Sequence, residues 1–391
     1  MAAPTKNVVL VGLGPAAVPA AQALAASLPE GYRLVAIAGS EGYWPVASLR
    51  AAVIPGWEDK PVAPVDAALP AKENIVLLKN TQVVELKEHS VVVDKAHSEL
   101  GTEIPFEFCI LATGSNYPYP CRPRPGRTVA EAVADLRETQ QQVAAASSIL
   151  VVGGGPVGVE LAGEIGEHYD GSAGRAKKEV TLVHSHDKFL HEPGWKDKFN
   201  AALKTQVVAL GVHVVLGRKV VDAPRESGPV QGGKRAFHLD NGETVDADFV
   251  FVAHGNAPNT GFVGAFDPEA LDAKRRVKVR PSFQLEKYDH IFAIGDITSV
   301  EEAKMVAMAK NHGPIAAANV LSLIRAGGTP ESYSDVKHKV YKPGPQVMVV
   351  SVGSKGGAGQ LFGWTVGSWF SWLIKARTLF VADFKKTYGA A

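Results

Sequence analysis

The sequence predicts an α/β protein: two Rossmann-like units, followed by a small C-terminal α+β segment. Two stretches carry the prediction. In "NVVLVGLGPAAVPAAQALAASL", from Asn7, and in "ILVVGGGPVGVELAGEI", from Ile149, an apolar run ends in a glycine cluster and passes directly into a helix-patterned run. Two further short apolar runs, "FEFCILATGS" and "HIFAIGDIT", stop at Gly114 and at Gly295–Asp296. Buried strands that end at glycine and feed helices point to βαβ units on parallel sheets.

Taken in order, residues 7–12 form a strand, Gly12 and Gly14 a turn, and an Ala-rich run a helix, with "YRLVAIAG" from Tyr32 as the next strand. Pro19 falls inside that helix pattern, where a proline costs roughly 3 kcal/mol and implies a local bend. The runs "NIVLLKN", "TQVVELKEH" and "SVVVDKA" alternate as antiparallel strands do. "NYPYPCRPRPGR" is too rich in proline for a regular element and has the composition of a linker. After a helix over about Thr128–Ala146 the pattern restarts: second glycine turn, helix, strand "EVTLVHS", helix, "GVHVVLG", a hairpin near Asn241 and "DFVFVAHGNAPNT". "HIFAIGDIT" precedes a helical run over Ala303–Ile324. From Tyr333 the character changes to strands "QVMVVSVGS" and "AGQLFGWTVG" and the aromatic run "SWFSWLIKARTLF". The division expected is 1–120 and 258–330 for one discontinuous domain, 121–257 for a second inserted into it, and 331–391 for the C-terminal segment.

Composition narrows the function. The chain of 391 residues is 46 % hydrophobic and 21 % charged, and 41 basic against 40 acidic residues leave a formal charge of +1. No concentrated basic character recommends nucleic acid as a partner. Two cysteines, Cys109 and Cys121, rule out a disulfide framework or a cysteine metal cluster. The opening "MAAPTKNVVL" enters a strand at once, residue 2 is Ala, and no apolar run has the length of a membrane span. The expectation is a soluble, cytoplasmic protein with no resident metal.

The glycine turns carry the chemistry. In a G-x-G-x-x-G turn the first glycine permits the tight turn, the second lets the backbone approach a pyrophosphate, and the third lets helix and strand pack closely. The helix start then offers N–H groups and a positive dipole end to the phosphates. Gly12, Gly14 and Ala17 make the first copy, and Gly153, Gly155 and Gly158 the second. Two copies in the right context predict two dinucleotides. The carboxylate that usually holds the adenosine ribose is missing after both second strands. Glu41 is the nearest acid in the first unit, and His184 and Ser185 stand there in the second. A ribose 2′-phosphate would meet no repulsion, and His184, His186 or Lys188 could reach it; the other reading makes them ordinary loop residues.

These turns, together with "LATGS" from Leu111 and "IFAIGD" from Ile291, resemble the two-dinucleotide-fold flavoproteins of the pyridine nucleotide-disulfide reductase superfamily. The resemblance implies FAD in the first unit, NAD(P)H in the inserted one, and Asp296 on the flavin ribitol. It also implies cofactor contacts at Pro15, Val83, Thr113, Gly114, Pro156, Gly255 and Gly295. The C-x4-C pair of the disulfide reductases is absent. In its place "ASLRAAVIPG", from Ala47, resembles the AMID or ferroptosis-suppressor group, related to apoptosis-inducing factor and type II NADH dehydrogenases. "GVELAGEI", "AKMVAMAKNHGPIAAANV" and "FGWTVGSWFSWLIKARTLF" extend the likeness over nearly the whole chain. That group is similar in passing hydride from NAD(P)H through FAD to quinones. Its human-type members carry an N-terminal Gly for lipid attachment, where this chain has Ala2.

By the same resemblance Glu160 positions the nicotinamide or its ribose, Lys304 and Met305 lie close to the flavin ring, and Lys375 lies near the quinone end. Glu160 could equally be a solvated first-turn acid and Lys375 a snorkelling surface lysine. Arg50 meets FAD phosphate or the ring edge, or is a surface arginine. Trp364, Trp369, Phe370 and Trp372 suit a quinone-sized slot, a shallow membrane contact, a dimer interface or a plain core. Two other activities fit the same cofactors: reduction of a ferredoxin-like protein, or a regulatory role with incidental NAD(P)H oxidation.

Overall fold

The computed structural model describes residues 5–255, 257–327, 333 and 336–389. Ala2, Asn256 of the "VAHGNAPNT" run and the boundary expected at 330/331 lie outside them. The first sheet has six strands in the order Gln284–Leu285, Tyr288–Ala293, Phe108–Leu111, Lys6–Val11, Tyr32–Ala38 and Ile75–Lys79. All neighbours are parallel except the first pair. Its central strand Lys6–Val11 is apolar from Val8 to Val11, where both faces are covered. Val8 and Leu10 pack under the helices Ala17–Ser27 and Val306–Arg325, whereas Val9 and Val11 pack under the antiparallel strands Val83–Leu86, Ser90–His97 and Gly101–Pro105.

The alanines of the first helix allow a close helix crossing. Ala17, Ala20 and Ala21 are fully buried, and a Cβ on Gly313 would lie 2.4 Å from the Ala16 carbonyl oxygen. Pro19 is the third residue of that helix, inside the first turn. Its missing N–H belongs to the turn that has no intrahelical acceptor, so the expected penalty does not arise.

The second sheet orders His213–Leu216, Glu179–His184, Ser148–Val152 and Phe249–Val252 in parallel, with Gly228–Pro229 antiparallel at the edge. The helices Pro156–His168 and Asp197–Ala209 pack on one face, and the hairpin Arg235–His238 with Thr244–Ala247 on the other. A C-terminal antiparallel sheet, Met348–Val352, Gly356–Leu361 and Trp364–Val366, lies against the helix Pro156–His168. The contact is close: a Cβ on Gly163 would sit 2.8 Å from the Gly353 nitrogen.

Two expectations on elements are corrected. "NIVLLKN" is not part of an antiparallel set, since Ile75–Lys79 pairs in parallel with Tyr32–Ala38 as the sheet's edge. Ile75 and Leu77 pack on one face of the sheet and Val76 and Leu78 on the other, and a short apolar run of this kind fits a parallel edge strand as well as an antiparallel one, so the pattern alone does not separate them. The helix expected from Ala303 begins at Val306, because Lys304 donates to the carbonyls of Thr298 (2.9 Å) and Val300 (2.8 Å) and holds the preceding loop folded back.

Candidate functional site

The two turns repeat one geometry. Gly12 (φ +98°) and Gly153 (φ +117°) adopt a conformation open to glycine, and a Cβ on either would lie within 2.7 Å of a carbonyl oxygen on the next strand, Ala112 or Ala253. The middle glycines differ: at Gly14 and Gly155 a Cβ would meet nothing within 4 Å among the described residues. The backbone therefore faces open space where a pyrophosphate needs to approach. Gly158 is the packing glycine, its Cβ position 1.8 Å from the Gly153 oxygen, and the buried Ala17 takes the equivalent place. Both helices start without a side-chain cap, and Pro156 stands in the first turn of the second. Pro15 lies between Gly14 and the first helix. The uncapped N–H groups and the empty side of each turn fit a dinucleotide phosphate.

Around the first turn, Gly295 (φ +75°) brings the 3-10 turn Gly295–Ile297 against Ala16. Its N–H donates to His312 Nδ1 at 3.0 Å. The opposite ring nitrogen then donates to Glu302 at 2.7 Å, and Glu302 also accepts from Tyr341 at 2.7 Å. Burial pushes the Asp296 carboxyl upward, opposed chiefly by Lys304 and with a further opposing contribution from Ser115. Lys304 itself, expected beside the flavin, is turned onto loop carbonyls, and burial lowers its pKa. Met305 is the uncapped N-terminal residue of the long helix. Thr113 and Gly114 tie the two chain crossings together: Thr113 Oγ1 donates to the Asn259 carbonyl at 2.7 Å and Asn259 N–H to Gly114 at 2.8 Å. Val83 is brought beside the end of the second strand by the Thr81 N–H, which donates to Ala38 at 3.1 Å. Glu41 accepts from the Val65 N–H at 2.8 Å, so this acid holds a loop.

Sequence reasoning missed Tyr388. Its hydroxyl donates to the Leu13 carbonyl, inside the first glycine turn, at 2.7 Å, and its ring fills the space that a Cβ on Gly42 would need. No motif announces it, because the contact joins residues 375 positions apart.

At the second turn, His184 is 6 % exposed and its Nδ1 accepts the Gly154 N–H at 3.0 Å. Burial, with His186 and His191 nearby, lowers its pKa to about 4. Gly255 (φ +83°) follows the fourth strand with open space beside it.

Glu160 and Lys375, far apart in sequence, form one ion pair. Glu160 Oε1 accepts from Lys375 Nζ at 2.5 Å and from the Ser351 N–H at 3.0 Å. Both residues are largely buried, so neither the solvated-acid nor the snorkelling-lysine alternative applies. Arg50 corrects another expectation. It is 2 % exposed and its guanidinium is committed to Glu164, at 2.9 and 2.7 Å, and to the carbonyls of Ala376 and Gly353. Glu164 is a buried bidentate partner for it, so the surface-arginine alternative does not apply and the guanidinium's donors are taken up within the protein. Glu160, Glu164 and Glu167 thus form one row along a helix, Glu160 and Glu167 bonding the C-terminal segment directly, the latter at the Ser354 N–H, and Glu164 reaching it through Arg50. Of the aromatics, Trp364 (78 %) and Trp369 (71 %) are exposed, which excludes the plain-core reading for them.

Two uncapped glycine turns on two parallel sheets, with a buried acid-bearing strand end beside the first, define a two-nucleotide redox protein. The family model for pyridine nucleotide-disulphide oxidoreductases matches residues 6–313, and the chain belongs to that family. It is an oxidoreductase whose cofactors by membership are FAD and NAD(P)H. It is 31 % identical over 342 residues to FAD-dependent oxidoreductase FVFD30 of Flammulina velutipes, covering 85 % of this chain and 97 % of that one. Ferroptosis suppressor protein 1 of Mus musculus is 30 % identical, with 88 % and 85 % covered, and apoptosis-inducing factor homolog A of Dictyostelium discoideum is 29 % identical, with 87 % and 82 % covered. Among solved structures, the NAD-dependent persulfide reductase from A. fulgidus shares the fold with a TM-score of 0.65 at 18 % identity, over 91 % of this chain and 64 % of that one.

Proposed function

We propose that this protein passes reducing equivalents from NAD(P)H through FAD to a quinone, at a site bounded by Glu160 and Lys375. The residues assigned to the cofactors are Gly12, Gly14, Pro15, Ala17, Val83, Thr113, Gly114, Gly295, Asp296 and Met305 for FAD, and Gly153, Gly155, Pro156, Gly158, His184 and Gly255 for NAD(P)H. FAD, when bound, accepts hydride from the nicotinamide and hands electrons on singly or in pairs. The observation that carries the quinone reading is the setting of Lys375. Its neighbours Leu373 and Ile374 are exposed apolar residues on the same turn, Trp372–Ala376, while its own ammonium points inward to Glu160.

A quinone gaining two electrons must also gain protons, and Lys375 Nζ is a proton donor whose charge Glu160 Oε1 keeps in place. Glu160 orients this ammonium and, through Ser351, the strand beside it. Phe362, Trp364 and Trp369 give the same region an exposed apolar surface, which suits shallow contact with the lipid interface in which such acceptors dissolve. Among the described residues no helix is long and apolar enough to cross a membrane. The test is stopped-flow reduction with NADH and NADPH separately, then mixing with a quinone, dioxygen or a one-electron protein acceptor. Flavin bleaching followed by fast reoxidation by quinone alone, slowed at least tenfold in Lys375→Met, is the expected result. Bleaching by neither nucleotide refutes the reading at its first step, and faster reoxidation by the protein acceptor transfers it to a ferredoxin-type reductase.

A further inference from the structure

Family membership leaves the choice between the two nicotinamide nucleotides open. Three imidazoles at the end of the strand Glu179–His184 bear on that choice. His186 and His191 stack face to face, ring centroids 3.5 Å apart at 4°, and His184 lies 5.1 and 5.5 Å from them. One ring nitrogen from each falls within 4.8 Å of the others. The loop is folded over the glycine turn: Leu190 adopts a left-handed conformation (φ +46°), and its N–H donates to the Gly154 carbonyl at 3.3 Å. His191 was not among the residues that sequence reasoning singled out.

Proton placement decides what the cluster can bind. A backbone N–H can only donate, so His184 Nδ1, which takes the Gly154 N–H, carries no proton. In the neutral ring Nε2 carries it. That Nε2–H is buried and has no acceptor among the described residues. A buried donor without a partner is costly, and a ligand oxygen would satisfy it. A metal ion would not, because coordination at Nε2 requires the proton to move to Nδ1 and the Gly154 bond to break.

We propose that His184, His186 and His191 are the recognition site for a phosphomonoester on the adenosine ribose, so that the protein takes NADPH in preference to NADH. The proposal rests on the pyridine-nucleotide reading of the second turn. His184 Nε2–H donates to the ribose or its phosphate, and the exposed rings of His186 and His191 close on the phosphate oxygens. Burial lowers the pKa of His184 and of His191, and the neighbouring His186 adds to the lowering at each. The charged groups near them are Asp187, Lys188 and Glu192 on the same loop and Arg218, whose N–H donates to the His184 carbonyl at 3.1 Å, with Lys188 held by Asp197 at 2.9 Å. A phosphomonoester brings a charge of about −1.5 to −2 and pulls protons onto the rings. Imidazoles whose pKa is low in the free protein and higher in the complex take up protons on binding, so the preference for NADPH grows as pH falls.

The test uses the FAD-loaded full chain with two fragments, adenosine 2′,5′-bisphosphate and AMP, measured calorimetrically at about pH 6 and about pH 8 in buffers of different ionisation enthalpy. The bisphosphate should bind at least ten times more tightly than AMP at the lower pH, with net proton uptake, and its advantage should shrink by roughly tenfold per proton per pH unit. In H186N/H191N, both positions being exposed, AMP should bind as before and the bisphosphate should fall to the AMP value. Equal affinities, a preference independent of pH, a preference retained by the variant, or binding that needs added Zn²⁺ and disappears with EDTA would each overturn the proposal. Flavin bleaching by both nucleotides with equal fragment affinities removes this inference and leaves the oxidoreductase reading standing.

Discussion

The pair Glu160–Lys375 shows what a single residue contributes. Replacing Glu160 by Gln keeps an acceptor for the Ser351 N–H but leaves the Lys375 charge buried without a counter-charge. Breaking a buried pair from one side costs about 3–5 kcal/mol, whereas removing both charges is often nearly neutral. E160Q should therefore lower the denaturation midpoint strongly and E160Q/K375M much less; equal losses would mean that the pair is not coupled. His184 supplies the pH counterpart. Its pKa in the folded protein, about 4, lies below the ordinary histidine value of 6.5. The unfolded chain binds the proton more readily, so stability rises with pH across this window and is lost as pH falls from about 6.5 toward 4. Thermal melts should show this acid slope reduced in H184N, and an unchanged slope would exclude His184 as its source. At this scale the glycines were legible, because the steric demand of Gly12, Gly153 or Gly158 is met within a few residues. Arg50, Lys304 and Glu41 were not. A long side chain can turn either way from its backbone position, and here Glu164, the Thr298 and Val300 carbonyls and the Val65 N–H decided the direction.

The helix Pro156–His168 does two jobs as an element. Its start faces the second glycine turn, and its flank joins the C-terminal sheet, directly through Glu160 and Glu167 and by way of Arg50 through Glu164. Gly163 lets the two elements meet. Ala at that position would gain up to about 1 kcal/mol of helix propensity, but its Cβ would lie 2.8 Å from one backbone atom and 2.9 Å from another, Gly353 N and Val352 Cα. Backbone cannot rotate away as a side chain can, and overpacking costs roughly 1–3 kcal/mol. Gly163→Ala is thus expected to lower the Tm and to weaken the effect of K375M on quinone reoxidation, because the sheet carrying Val349 and Ser351 shifts; a raised Tm would show that the contact is slack. The sequence displayed this helix clearly, since the turn, the apolar period and Pro156 agree. The role of its acidic flank was hidden, because a row of glutamates looks the same whether it meets solvent or another sheet.

Over the whole molecule, the parallel sheets were readable because buried strands ending in glycine have few other uses, and both sheets are present. The C-terminal layer was harder, since its aromatics occur as often in cores as on surfaces. Their exposure now makes a test possible. Phe362, Trp364 and Trp369 are 73 %, 78 % and 71 % exposed, with Leu373 and Ile374 beside them at 41 % each. Polar replacement of such residues should change stability by no more than about 0.5 kcal/mol each. If the patch meets a lipid interface, F362S/W364S/W369S will fold and bleach its flavin with NAD(P)H as the parent does, will lose co-sedimentation with vesicles, and will reduce a long-tailed quinone in those vesicles at least tenfold more slowly. A short water-soluble quinone bypasses the surface, so its rate should hold. Loss of both quinone activities would place the patch in the acceptor site itself, and retention of both would leave the aromatics without a part in delivering the acceptor.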